Sequence, residues 1–235
     1  MLPEHDFGKI EFIRSQKSRH IRVRILRNGL KVSLPWAATE NEALNFISQQ
    51  HQKIKAKQQQ LQKNELSNPT VLRNNSRLQT LTFDVEIKAG NRKNIFFSMK
   101  NGLLIVEHPE QVDINDEIIQ KQCWTGIEYF LRKEAKRLLP ERTKQLALKF
   151  GFTHSGVKIQ SSKSRWGSCS REKNINLSFY LMLLPAHLVD YVILHELCHT
   201  KEMNHGEKFW KWMDKVTDEQ SKQLRAELKK YHMPQ

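Results

Sequence analysis

One short stretch has the residue types and spacing of a metal site: His195-Glu196-Leu197-Cys198-His199, with His205 six residues further on. On a helix, positions four apart lie one above the other, so His195 and His199 can offer their imidazoles to a single cation. Zinc is held in this way, through ring nitrogens at about 2.0–2.1 Å. Glu196 stands about 100° round the helix from His195, too far for an easy third ligand. It is placed instead to hold and deprotonate a water at the ion, the general-base part that this spacing assigns to it. His205 is the natural third ligand, leaving a fourth position open as a catalytic zinc site requires. Glu202, Glu207 and Asp214 are the other candidates for that third place.

Such residues act only if helices and turns hold them. Val189, Val192 and Ile193 are apolar, so the histidine helix is expected to be buried and to wall a dry pocket. Pro185, after Leu181-Met182-Leu183-Leu184, sits where a first-turn proline starts a helix. Asn204 and Gly206 flank His205 and let the chain bend once the helix ends. His187 is on the face of Tyr191 and His195, as either a support behind the metal or an exposed residue. From Glu207 the chain is again helical, with Phe209, Trp210, Met213 and Val216 spaced as core packed behind the metal.

The chain has 235 residues, enough for one large or two small domains. It contains no run of eighteen apolar residues, so no membrane span is expected. Its first residues lack a charged-then-apolar signal pattern, which points to the cytoplasm. Three cysteines without a Cys-x-x-Cys pair argue against a disulfide framework and against a cysteine zinc knot. The net charge of +14 is concentrated early: residues 1–80 carry fourteen basic against six acidic side chains. Nucleic acid is therefore a candidate partner through the basic N-terminal region.

Residues 20–34 read as a β-hairpin. Ile21, Val23 and Ile25 alternate with Arg22 and Arg24, and Asn28-Gly29 is a strong turn signal. Thr39-Glu40-Asn41-Glu42 opens a helix with an N-cap and an acidic first turn. The later half of that helix is expected to be a polar, solvated rod, and 64–75 a linker. The same grammar then repeats, with strands over 81–87 and 95–99, an Asn101-Gly102 turn and a return through 103–106. Caps at Asp113 to Asp116 lead into a helical stretch that Pro140 is expected to kink or split, up to Gly151. Strands follow at 157–159 and 175–179. The expected fold class is α+β: 1–112 as two β-hairpin-plus-helix units, then a domain over 113–235 that holds the metal motif.

Several of these segments also share an order. Ser164-Arg165-Trp166-Gly167-Ser168-Cys169, Asn174-Ile175-Asn176-Leu177, Leu184-Pro185, Asp190-Tyr191-Val192, the histidine motif, Asn204-His205 and Phe209-Trp210 together resemble the YgjP-like metallopeptidase family. This is a zincin group related to the SprT-like proteases, and the resemblance covers most of the chain, including the basic N-terminal hairpin. It implies a zincin-like fold for 113–235 and a hydrolase using one catalytic Zn2+ on a peptide or protein substrate. His195, His199 and His205 would bind the metal and Glu196 would be the base. Arg165, Trp166, Gly167 and Ser168 would lie on the strand lining the cleft, where an extended substrate is held by backbone hydrogen bonds. There Gly167 would permit close approach and Trp166 would wall the pocket. Arg165 would pair with a substrate carboxylate or an internal acid, or else support strand against helix.

The chain also departs from that pattern. Ser178-Phe179-Tyr180-Leu181 stands where the family often has Asn-Trp-Arg-Leu, so no arginine role carries over. Tyr180 is either an oxyanion-stabilising substrate contact or a buried strand residue. Gly206 replaces an expected serine, and Glu202 occupies the place where metzincins end the helix with glycine. Two other functions fit parts of the sequence. A metal-dependent nucleotide (NTP) phosphohydrolase would suit the positive charge, although magnesium calls for several carboxylates rather than three histidines. A nucleic-acid-associated SprT-like protease would dock its basic N-terminal region on DNA or RNA.

Overall fold

Ile10 and Phe12, Val23 and Ile25, then Leu30, Val32 and Leu34 alternate with polar neighbours, the period of strands with one buried face. In the computed structural model, which describes residues 4–15, 20–26, 29–66 and 71–234, all three runs are strands. A one-turn helix α1 (Glu4–Phe7) precedes β1 (Lys9–Arg14), β2 (Arg22–Leu26) and β3 (Gly29–Leu34). The sheet order is β1-β3-β2, with β1 parallel and β2 antiparallel to β3. Helices α2 (Glu40–Gln49) and α3 (His51–Leu66) follow. Leu30, Val32 and Leu34 are buried with Ala43, Ile47 and Ile54 in one cluster.

Thr39 caps α2 as expected. Its hydroxyl accepts from the Glu42 N–H at 3.2 Å, and the Glu42 carboxylate accepts from the Thr39 N–H at 2.7 Å. The turn residue Asn28 lies outside the described residues. Gly29, however, is a strand residue paired with Leu26. An added Cβ there would stand 2.2 Å from the Lys9 carbonyl oxygen, so this glycine serves the approach of β1. The solvated-rod expectation for α3 fails at Gln58, which is buried. Its amide donates to the carbonyls of Phe7 and Leu26 at 3.0 and 3.1 Å, supplying partners to the last residues of α1 and β2. Arg22 and Arg24 are exposed.

The second hairpin repeats the first in topology. β4 (Arg77–Gln79), β5 (Asp84–Gly90), β6 (Phe96–Lys100) and β7 (Leu103–Pro109) form a sheet of order β4-β5-β7-β6. Here β5 is parallel and β6 antiparallel to β7, as β1 and β2 are to β3. Asn101 and Gly102 make the turn with φ of 50° and 74°, the left-handed pair that a tight hairpin requires. Asp116 then caps α4 (Glu117–Phe150), accepting from the N–H groups of Ile118 and Ile119. Pro140 does not split this helix. The carbonyl that it leaves without an amide belongs to the exposed Lys136, while buried Ala135, Leu139 and Thr143 hold the flanking turns.

The chain divides into compact units Met1–Val71 and Leu72–Gln235, not after residue 112 as expected. The physical reason is a shared core: Val85, Ile87, Leu104 and Val106 cluster with Cys123, Ile127 and Leu131 of α4. The rest of the second unit comprises β8 (Gly156–Gln160), β9 (Gly167–Cys169), β10 (Asn174–Ser178), a 3-10 turn over Phe179–Leu183, α5 (Ala186–Cys198), α6 (Glu207–Val216) and α7 (Ser221–Leu228). Its small sheet has the order β8-β10-β9, which makes β9 an edge strand. The fold class is α+β. No helix among the described residues is long and apolar enough to cross a membrane.

Gly29→Ala should cost the protein about 1–3 kcal/mol, because backbone rather than a movable side chain blocks the new methyl group. Denaturant unfolding together with hydrogen exchange at 9–14 checks this. Wild-type stability would show that β1 can give way without loss.

Candidate metal centre

Helix α5 is apolar on most sides and is buried along most of its length, with His195 and Glu196 in its last turn. Leu188, Val189, Val192, Ile193, Leu194 and Leu197 are all buried. Pro185 is its N-cap, one position before the first-turn place expected. Arg142 of α4 clamps the helix through Asp190, at 2.7 and 2.5 Å, a two-pronged pair that resists rotation.

At the end of α5 the three sequence-predicted histidines come together. The ligand nitrogens of His195, His199 and His205 lie within 4.8 Å of one another, and the Nε2 atoms of His195 and His205 are 2.9 Å apart. A tetrahedral ion with bonds of about 2.0–2.1 Å holds its ligands about 3.4 Å apart, so this spacing fits a small cation. Nδ1 of His199 is 3.1 Å from the Glu202 carbonyl oxygen, which makes it the donor and leaves Nε2 free for a metal. The chain turns here without the helix-ending glycine of metzincins. Lys201 and Glu202 both return N–H bonds to Cys198 O at 3.0 Å, and Glu202 needs no left-handed backbone.

Among the described residues, none of the alternatives to His205 joins the cluster. Glu207 pairs with Lys211 at 2.7 Å, and Asp214 accepts from the Ser221 hydroxyl. Phe209, wholly buried, packs beneath the cluster with ring centroids 4.9, 4.6 and 4.7 Å from His195, His199 and His205. Trp210 donates from Nε1 to the His205 carbonyl at 3.1 Å, anchoring an otherwise exposed histidine. The Phe209-Trp210 pair was legible as core, but this bond was not, because it depends on how α6 meets the loop before it.

Glu196 is buried beside the histidines and against β9. A Cβ added at Gly167 would lie 2.7 Å from both Cγ and Oε1 of Glu196. The close approach that Gly167 permits is thus to Glu196 itself. Burial pushes the Glu196 carboxyl up to about 8, against the opposing charge of Arg165. Burial likewise pushes His195 down to about 3, helped by the charges of His199, His205 and Arg225. A neutral imidazole keeps its lone pair available to a metal at ordinary pH.

The other expected substrate contacts divide. Trp166 is half-buried against the core, and its carbonyl accepts from Ser178 N–H at 2.8 Å. Ser168 pairs with Asn176 across the sheet, and Arg165 is exposed. Tyr180 is fully buried and its hydroxyl donates to Glu128 of α4, next to Lys163 at 3.6 Å from that carboxylate. Its phenol is raised well above the ordinary range by burial and by Glu128. A hydroxyl so engaged is a support for α4, and the Glu128–Tyr180–Lys163 group had no local sequence signal. His187 bonds Glu227 of α7 at 2.9 Å rather than a metal ligand.

A family profile described as YgjP-like, metallopeptidase domain, matches residues 19–231. A comparison with curated proteins found no match. Among solved structures, the metallopeptidase zymogen of Pyrococcus abyssi abylysin is similar at 22% identity, over 37% of this chain and 89% of that one. Its TM-score of 0.35 is too low for that likeness to bear on this fold.

Gly167→Ala should displace the Glu196 carboxylate while leaving the three imidazoles in place. The expected result is unchanged zinc binding with turnover reduced about tenfold or more, read by metal titration beside a turnover assay. A second expectation concerns pH. In metal-free protein, folded Glu196 retains a proton that the unfolded chain releases, so stability falls as pH rises from 4.5 to about 8. For His195 the loss runs the other way, as pH falls from 6.5 to about 3. Between pH 6.5 and 8 only the Glu196 slope remains of the two, roughly 2 kcal/mol at most. Thermal denaturation in chelator should show it in wild type and not in Glu196→Gln, and identical slopes would disprove the assignment.

Proposed function

The chain belongs to the family of YgjP-like metallopeptidase domains, and from that premise we propose that it is a zinc-dependent peptidase with Glu196 as general base. The observation that carries the proposal is the meeting of three ligand nitrogens within 4.8 Å, beside a buried carboxylate. Three imidazoles with a coordination place left open are the ligand set of a catalytic rather than a structural zinc. A bound zinc ion would supply Lewis acidity, polarising the scissile carbonyl and making a water acidic.

The chain's own residues do the rest. Glu196 takes the water's proton on its carboxylate and passes it to the leaving nitrogen. Its carboxyl, raised by burial, has a proton affinity near the working pH, where general bases are most effective. The neighbouring dication would lower that affinity and keep the carboxylate ionised between turnovers. His199 is fixed by the Glu202 carbonyl, and His205 by Trp210. β9 offers an unpaired edge to an extended peptide, whose backbone can add to the sheet above Glu196. The nucleotide-hydrolase alternative is weaker: among the described residues, the cluster suited to a metal consists of histidines, whereas magnesium favours carboxylate oxygen.

The test compares zinc-loaded wild type with Glu196→Gln on a peptide pool read by mass spectrometry. Glu196→Gln should bind zinc as wild type does and lose turnover about 10²–10⁴-fold. Undiminished cleavage by the variant would remove Glu196 from the mechanism.

A further inference from the structure

Two exposed arginines without an acidic partner lie near the histidine cluster, one beside β9 and one on α7. Arg165 lies two residues before Gly167, ahead of the bend at Trp166 that leads into β9 and so just outside the strand expected to hold it. Gly167 itself stands against Glu196, whose Cγ and Oε1 are 2.7 Å from where its Cβ would be. Arg165 is exposed, and its positive charge is felt at the Glu196 carboxyl.

Arg225 approaches from α7. Its guanidinium lies 5.0 Å from the centre of the Trp210 ring, and that ring is 6.1 Å from His205 and 6.5 Å from His195. Its charge is felt at both His195 and Tyr191. Nearby acids are engaged elsewhere: Glu227 with His187, Glu207 with Lys211, and Asp190 with Arg142. Among the described residues, neither guanidinium has a carboxylate within ion-pair distance. A guanidinium with free donors matches a carboxylate in two-pronged geometry.

We propose that Arg165 and Arg225 are specificity-determining residues that select peptides with carboxylate side chains on both sides of the scissile bond. Arg165 reads the residue lying over β9, and Arg225 reads the one lying over Trp210. The proposal rests on the peptidase reading above and names the substrate class for the same site.

The experiment uses a pool of peptides in matched pairs, Glu or Asp against Gln or Asn at each position, incubated with zinc-loaded full-length protein. Wild type should cut acidic members with kcat/KM about ten- to a hundredfold above their amide partners, and added salt should weaken that preference. Arg165→Ala and Arg225→Ala should each bring the acid-to-amide ratio towards one, on opposite sides of the cut, with zinc content equal to wild type. Arg165→Lys, which keeps the charge but not the fork, should retain part of the ratio. Equal rates for acidic and amide peptides in wild type would overturn the selection alone. So would variants that slow both members of a pair alike, since that marks a merely structural role. A wild type that cuts no peptide, whether or not it hydrolyses nucleoside triphosphates, removes the peptidase premise and the proposal with it.

Discussion

Two imidazoles and a carboxylate sit at the end of a helix that is largely hydrocarbon and largely buried. Burying such groups is costly, and the cost is visible in the upward displacement of Glu196 and the downward displacement of His195. Each shift disfavours the charged form because water has been replaced by side chains such as Phe209 and the neighbouring helix. A dication among the three rings would reverse that balance, since it binds neutral imidazole and favours ionised carboxylate. The polar end of α5 is therefore arranged for a guest ion. Much of the second unit can be understood as what keeps it so.

Each support acts on one degree of freedom. Asp190 and Arg142 fix the rotation of α5 against α4. The Glu202 carbonyl chooses which His199 nitrogen faces the cluster, and Phe209 fills the space beneath all three rings. Trp210 ties down the most exposed ligand through its own backbone. Gly167 leaves room for the carboxylate where any side chain would push it aside. The edge strand β9 is thereby also the wall against which the Glu196 carboxylate rests.

The two hairpin units share one topology, a leading strand parallel to the second strand of a hairpin, yet they lie in different compact units. In the first, α2 and α3 return onto the sheet and close a small core of their own. In the second, the hairpin faces α4, a helix of 34 residues that also packs against the histidine-bearing α5, and the two cores merge. Similar local patterns thus gave different domain membership because the length and apolar face of the following helix differed.

Sequence by itself determined what depends on neighbours along the chain. The His195–His199 pair is set by helical repeat, the caps at Thr39 and Asp116 by short polar side chains, the Asn101-Gly102 turn by its dihedral needs, and α4's end by Gly151. Even the strands around Gly167 were legible, through their ordered motifs. What only the tertiary structure decided were matters of approach between distant segments. His205 joined the cluster, rather than Glu202, Glu207 or Asp214, because the loop after α5 turns on the Cys198 carbonyl and Trp210 holds it. Tyr180 turned to Glu128, Gly29 made room for the neighbouring strand β1, and Gln58 left the solvent for two carbonyls. Local signals encode dihedral preference and period. Which polar group meets which across the core is fixed only when packing brings them within about 3 Å.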